Sequence, residues 1–361
     1  MSNNEALEKQ LPKEIFVVIG CDTDPDRDYF IPGTPSDTLS WRGMLEGIPR
    51  AKDKLETLTD SDGRPPVFTW LLRADHQIKQ VHGSFNHILS THRDFLLDVE
   101  KTGDELGWHP HFWCFDEKRR AWYQNHEDID WQVSVLEQAH AAYCEVLPGR
   151  PKTVRMGWGY HNDRTCAALD RLGIEVEISG LPGLRVRSEV TGSRLSNFYD
   201  WYSTPAEPFH PSTSDYRRPA KEGESSYSLL EVPNFVSRSR FWGMVSGVVM
   251  TRKMKNIRQI GYSLAKPAYM ATVTVKPTLF APMVSEMKRR LSRQDRVIYV
   301  TPLHPDELID NIHPAYSLQY MAQNIKSILN LADSLGAKAR FVRAIDIKTI
   351  VQTGAAQPRT E

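Results

Sequence analysis

Eight short runs rich in β-branched and aromatic residues punctuate this chain, and helical patterns fill the gaps between them. The runs lie near 14–22, 67–73, 104–111, 153–158, 174–179, 229–233, 297–303 and 338–344. Helices are predicted over Trp41–Leu58, Ile129–Val146, Asn162–Leu172, Thr278–Leu291 and Ser317–Leu335. In the last of these, Leu318, Met321, Ala322, Ile325, Leu329, Ala332 and Leu335 recur every three or four residues, one apolar stripe for a sheet to bury. Strand and helix in alternation is the pattern of parallel strands joined by helical crossovers. Leu172-Gly173 and Leu335-Gly336 each set a glycine where a helix ends in a left-handed turn, and a strand follows at once in both places.

At 361 residues the chain is long enough for one barrel-sized domain or two ordinary ones. No change in composition marks a linker and no repeat of fixed period is present, so one α/β domain is the simpler expectation. The stretch 179–228 breaks the rhythm; rich in Pro, Ser, Tyr and charge, it reads as long loops of the kind that form lids or rims. Lys plus Arg equal Asp plus Glu at 45 each, so no net field draws the molecule to nucleic acid, which is not expected as a partner. Four cysteines, Cys21, Cys114, Cys144 and Cys166, show no CxxC spacing and are too dilute for a disulfide scaffold, which fits a cytoplasmic protein. The first residues lack a basic segment followed by an apolar one, so no cleaved secretion signal is expected. The apolar run Phe241–Met250 is too short to span a bilayer. With Arg252, Lys253, Lys255 and Arg258 behind it, 241–258 reads as a barrel helix with a solvated end, the rival reading being peripheral contact with a membrane surface.

Polar residues stand where several of the runs stop, and strand ends are where α/β sheets keep their chemistry. Asp22 and Asp24 close the run that begins Ile15–Ile19, and His109 and His111 close the one entered through Leu106-Gly107. Residues i and i+2 of a strand share a face, so each pair can point into one cavity. The two carboxylates could divide the work between holding a divalent cation and taking a proton from water, or Asp-x-Asp-Pro-Asp could be no more than a turn. Imidazoles suit zinc and similar ions, and two of them with one carboxylate leave a coordination position open. Trp108, Phe112 and Trp113 beside the histidines are either core or a stacking wall for sugar rings. Arg155, ahead of Met156-Gly157-Trp158-Gly159-Tyr160, can hold a carboxylate ionised, although a lone arginine is more often a surface ion pair. His304 ends the run Val300–Leu303, a suitable position for a general acid, while Pro305, Asp306 and Glu307 read as a first helical turn.

In this order the pieces resemble the polysaccharide deacetylase family, carbohydrate esterases of the family 4 type with a NodB-homology domain. Asp22-Thr23-Asp24 resembles the first motif, normally two adjacent aspartates, and Gly103–His109 the approach to the histidine motif. Arg155–Gly159 is similar to the third motif, Asp200-Trp201 to the fourth and Leu303-His304-Pro305 to the fifth. Two motifs vary. The usual second histidine, four residues after the first, is replaced by Trp113, so His111 is taken as the substitute ligand; Thr23 separates the two acids, so their register is a choice.

The resemblance implies a distorted (β/α) barrel of seven or eight strands over 14–349, with 1–13 and 350–361 as tails and 236–296 as a helical insertion or barrel helices. It also implies a divalent metal, zinc before cobalt, manganese or nickel, on Asp24, His109 and His111. Asp22 would be the base, oriented by Arg155, and His304 the acid, tuned by Asp200, with the reverse assignment of Asp22 and Asp24 kept open. Trp201 would line the acetyl pocket, and Trp158 and Tyr160 would contact the sugar. The reaction implied is hydrolysis of an N-acetyl group on an amino sugar in a glycan, polysaccharide or glycoconjugate, an ester being the alternative to the amide. The rivals are a glycan-binding barrel without catalysis and a metal-independent glycosidase on a related barrel, which would leave the His109/His111 spacing without a purpose.

Overall fold

The computed structural model describes residues 13–26, 39–118, 120–147, 149, 151–186, 199–239, 241–242, 268–309 and 315–355. Its main sheet has eight parallel strands: β1 (Glu14–Thr23), β2 (Phe68–Leu72), β3 (Glu105–Trp108), β4 (Thr153–Val154), β5 (Val176–Glu177), β6 (Leu230–Glu231), β7 (Arg296–Leu303) and β8 (Lys338–Phe341). Seven of them follow the order β6-β5-β4-β3-β2-β1-β7 in a curled half-barrel. The length of β1 admits the eighth: Glu14–Val17 pair with β8 and Ile19–Thr23 with β2 on one side, while Glu14–Cys21 pair with β7 on the other. Past β6 the chain crosses to β7, where Phe235 N–H donates to Val300 O at 2.9 Å. The α/β barrel expected from the sequence is the fold observed.

Among the described residues the α-helices include α1 (Ile48–Leu55), α2 (His76–His82), α3 (His87–Thr91), α4 (Arg93–Lys101), α5 (Ile129–Val146), α6 (Asp163–Arg171), α7 (Pro277–Leu291), α8 (Leu318–Ser334) and α9 (Asp346–Ala355). Side chains set several of their starts. Asp75, Asp128 and Ser317 accept from the N–H groups of Ile78, Trp131 and Tyr320, and Asn162 and Thr165 form a capping box. Gly173 and Gly336, with φ of 80° and 61°, stop α6 and α8 as the Leu-Gly pairs predict. The helices α2, α3 and α4 have no counterpart among the predicted elements; at 7, 5 and 9 residues they are too short for periodicity to register. α9 crosses residue 350, so the tail boundary expected there falls inside a helix. Two hairpins, Arg185–Val186 with Tyr199–Asp200 and Pro211–Ser212 with Asp215–Pro219, replace plain loops in 179–228. Residues 243–258 of the amphipathic segment, and 1–12 and 356–361 of the tails, lie outside the described residues. No helix among the described residues is long and apolar enough to cross a membrane.

The two faces of β1 explain where the chemistry sits. Ile15, Val17, Ile19 and Cys21 pack in the cluster shared with the helices, among them Met321 and Ile325 of α8. Phe16 and Val18 belong to a separate inner cluster with Leu71, Val176, Ile178, Leu230, Val232 and Val300. Alternation carries that inner face on to Gly20 and Asp22 at the end of the strand. Gly20 must be small: a Cβ there would lie 2.7 Å from Arg155 Nη2, whose guanidinium fills the space. An apolar plug therefore lies below, and a charged layer begins directly above it.

β5 and β6 also bring two buried acids, Glu177 and Glu231, into register. Burial, and then the neighbouring Glu177 carboxylate, push the Glu231 acid well above the ordinary carboxylate range. Folded Glu231 therefore keeps its proton where the unfolded chain releases it. The stability this contributes is fully present below the ordinary value of 4.5 and is lost as pH rises through the folded one, by at most about 1.4 kcal/mol per pH unit. Glu231→Gln is expected to flatten that slope, and urea midpoints measured from about pH 5 to about pH 9 will show it.

Candidate active site

Three ligand atoms converge at the C-terminal ends of β1 and β3. One atom each from Asp24, His109 and His111 lies within 4.8 Å of the others, and all three residues are buried. β1 ends at Thr23, and Asp24 N–H turns back to Asp22 O at 2.7 Å. β3 ends at Trp108, one residue before His109. The same-face rule of a strand thus does not set the histidines, because Pro110 cannot donate to a ladder and the pair lies in a loop. Hydrogen bonds from neighbouring strand ends set them instead: His109 N–H donates to Leu72 O at 2.8 Å, His111 N–H to Asp75 Oδ2 at 3.2 Å and Gly157 N–H to Pro110 O at 2.8 Å.

His109 Nδ1 lies 2.7 Å from Arg155 O, which can only accept, so this nitrogen carries the proton and Nε2 presents its lone pair. His111 Nε2 is 3.0 Å from that lone pair, and Asp24 Oδ1 is 3.5 Å from His111 Nε2 and 3.8 Å from His109 Nε2. His111 Nδ1 is buried with no hydrogen-bond partner among the described residues. Burial, then the Arg73 cation, push the His111 imidazole down to about 4, so the ring is neutral near pH 7. Burial alone would raise the Asp24 carboxyl; Arg73 and the two imidazoles outweigh it and hold the group well below the ordinary range. Two neutral imidazole nitrogens and one carboxylate oxygen, converging in a buried site, fit a borderline ion such as zinc.

Arg73 stands outside every sequence motif, yet it organises this corner. Wholly buried, it donates from Nη1 to Asp24 Oδ1 and from Nε to Asp75 Oδ2, both at 2.5 Å, and from Nη2 to Gln77 Oε1 at 2.7 Å. A signal for it exists: it is a charged residue one step beyond the apolar strand Phe68–Leu72, as His109 is one step beyond β3.

Asp22 belongs to an adjoining group. Arg155 donates from Nη1 to Asp22 Oδ1 at 2.7 Å, from Nε to Ile178 O at 3.1 Å and from Nη2 to Asn234 Oδ1 at 3.5 Å. The Arg155 side chain is 4% exposed, so this is no surface ion pair. His304 Nε2 stands 3.5 Å from Asp24 Oδ2, and Nδ1 stands 3.5 Å from Glu307 Oε1. Glu307 sits in the turn Pro305–Leu308 that the sequence predicts after His304. Asp200 is not the carboxylate beside that histidine. Its Oδ2 accepts from Arg217 Nη1 at 3.3 Å, within the hairpin region, and Glu307 holds the position expected of it.

A cavity of about 470 Å³ opens onto both groups. Asp22, Asp24, His109, His111, Arg155 and His304 make its polar floor, and Met156, Trp158, Leu181, Tyr199, Met270 and Pro302 line it with apolar surface. Trp158 reaches the cavity from a left-handed backbone position, φ 58°, with its ring edge-on to Trp113 at 6.1 Å. Tyr160 and Trp201, expected as substrate contacts, are not on the wall. Trp201 is wholly buried with its indole N–H on Gly159 O at 2.7 Å, and Tyr160 OH accepts from Gln132 Nε2 and donates to His126 O, both at 3.2 Å. Burying a large ring and satisfying its one polar atom outweighs exposing it. Trp108 is core for the same reason, its indole N–H on Ala74 O at 2.9 Å; Phe112, with no polar atom to satisfy, is core as well, and Trp113 is buried against the His111 ring at 5.8 Å.

Gly157 leaves room for His111, since a Cβ there would lie 2.2 Å from the imidazole. Gly157→Ala is expected to displace the ring and weaken zinc binding about 10- to 100-fold, as measured by competition with a chromogenic chelator.

Two solved structures share this architecture over nearly the whole chain. A candidate polysaccharide deacetylase from Mycobacterium smegmatis superposes with a TM-score of 0.52 at 14% identity, covering 97% of this chain and 94% of its own. The fold is that of the polysaccharide deacetylases. A candidate glycoside hydrolase/deacetylase from Parabacteroides distasonis gives 0.51 at 13% identity, covering 95% of this chain and 72% of its own. No family model matches the sequence, and no curated protein matches it. Within this deacetylase fold, β1, β3, β4 and β7 deliver Asp22 and Asp24, the two histidines, Arg155 and His304 to one end of the sheet.

Proposed function

We propose that this protein is a metal-dependent hydrolase that removes N-acetyl groups from an amino sugar in a glycan, polysaccharide or glycoconjugate. The observation that carries the reading is the convergence of Asp24, His109 and His111 beside the Asp22–Arg155 pair on one cavity floor. The names of the two structures of like fold support an acetylated sugar as the substrate. A divalent ion on these three residues, zinc before cobalt, manganese or nickel, would polarise the scissile carbonyl and acidify water at the site. The spacing of the four cysteines supports a cytoplasmic location.

The chain's own groups supply the proton transfers. Asp22 takes the proton of the attacking water, while Arg155, donating to its Oδ1, holds the carboxylate in place. A C–O bond forms at the carbonyl carbon and the C–N bond breaks. His304 Nε2–H delivers a proton to the departing nitrogen, because an amide anion is a very poor leaving group. Glu307 Oε1 stands 3.5 Å from Nδ1 and orients the ring for that transfer. Acetate and a free amine leave.

Elemental analysis and an acetate-release assay on N-acetylated amino sugars test the proposal together. About one zinc-like ion per chain is expected, with acetate release abolished by chelation and restored by adding the ion. Full turnover by metal-free protein would rule the scheme out.

A further inference from the structure

We infer that the acyl side of this site takes aliphatic chains longer than acetyl, with acetyl as its smallest substrate. The inference rests on the hydrolytic reading above and narrows its substrate class. An acetyl pocket closed by Trp201 is not what the chain builds. Trp201 Nε1 lies 3.6 Å from the point where a Gly159 Cβ would stand, and Leu181 Cδ1 lies 3.3 Å from it on the cavity side. Gly159, at φ 63°, brings only backbone to this wall, since a Cβ there would press on Ser179 O at 3.2 Å. The cavity of about 470 Å³ falls in the range that encloses a ligand of many heavy atoms. The methyl of an acetyl group needs about the volume of one water, about 30 Å³.

The chemistry of the wall decides what fills the remainder. A sugar ring would bury hydroxyls, and each buried hydroxyl needs a partner. The serine and the asparagine of this wall are already engaged. Ser179 Oγ donates to Glu177 and accepts from Met156 N–H, while Asn234 Nδ2 donates to Ile178 O and Gly180 O and its Oδ1 accepts from Arg155. An aliphatic chain needs no such bond and gains from burial against Met156 and Leu181. Direction follows from the proton donor. His304, after β7, serves the leaving nitrogen, so the amine portion lies on that side and the acyl chain runs toward Met156 and Leu181, after β4 and β5.

The test uses the full-length, zinc-loaded protein with glucosamine N-acylated by acetyl, propanoyl, butanoyl or hexanoyl groups, following the carboxylate released. kcat/KM is expected to rise about three- to fourfold per added methylene as far as butanoyl. Leu181→Trp, which fills the chain's path, is expected to lower the butanoyl-to-acetyl ratio about tenfold. A flat or falling series beyond acetyl in the wild-type protein, or an unchanged ratio in the variant, overturns the inference and leaves the deacetylase reading standing. Release from none of the amides overturns both.

Discussion

Asp22→Asn is expected to lower kcat about 100- to 10,000-fold while the bound metal stays at its wild-type stoichiometry. Asparagine keeps the shape of the aspartate, and its carbonyl oxygen can still accept from Arg155 Nη1, which now donates to Asp22 Oδ1 at 2.7 Å. What it loses is basicity, so the water proton has nowhere to go. KM is expected to move little, because the substitution touches the proton transfer and not the cavity walls. Asp24→Asn is the contrasting variant. Asp24 is the carboxylate that clusters with His109 and His111, so its loss is expected to release the ion first and the activity with it. The register of the two acids is therefore read directly. Loss of metal from the Asp22 variant, with retention in the Asp24 variant, would reverse the assignment.

Arg73→Met is expected to destabilise the folded chain by about 3–5 kcal/mol, because it strands buried charges that now share one cation. Arg73 bridges Asp24 and Asp75 at 2.5 Å each, and all three side chains are at most 5% exposed. Methionine matches the length of the stem but offers no donor, so two carboxylates and Gln77 Oε1 lose the guanidinium together. Arg73→Lys keeps the charge without the three-way fork and is expected to fall between the two. The sign of the metal effect follows from the same electrostatics. Once Arg73 is gone, a divalent cation becomes the main counter-charge for Asp24, so added zinc is expected to recover part of the lost stability of the methionine variant. Urea unfolding with and without zinc measures this. A variant within about 0.5 kcal/mol of the wild type would show that the buried fork contributes nothing to the fold.

Much of the scaffold is legible in the chain because periodicity is a local property. Ile15, Val17 and Ile19 alternate with Phe16, Val18 and Gly20 in a way that already assigns two faces, and Leu172-Gly173 and Leu335-Gly336 mark two helix ends. The turn after His304 is written in Pro305, Asp306 and Glu307. The site resists the same treatment. His109-Pro110-His111 looks like a strand end with two side chains on one face, but its geometry comes from bonds to Leu72, Asp75 and Gly157. Asp200 follows its motif position and still falls to Arg217, while Glu307, three residues past His304, faces that histidine.

Sequence by itself determined the parallel α/β alternation, which residues of a strand share a face, and the polar residues at the strand ends, since each depends on neighbours within a few positions. Tertiary structure alone decided which of those ends meet. Asp24 reaches the two histidines, Asp22 reaches Arg155 and Arg73 enters the site because β1 lies beside β2, β2 beside β3 and β3 beside β4. That order arises from strand pairing between segments far apart in the chain, and a buried charge takes whichever partner the pairing brings within hydrogen-bond reach.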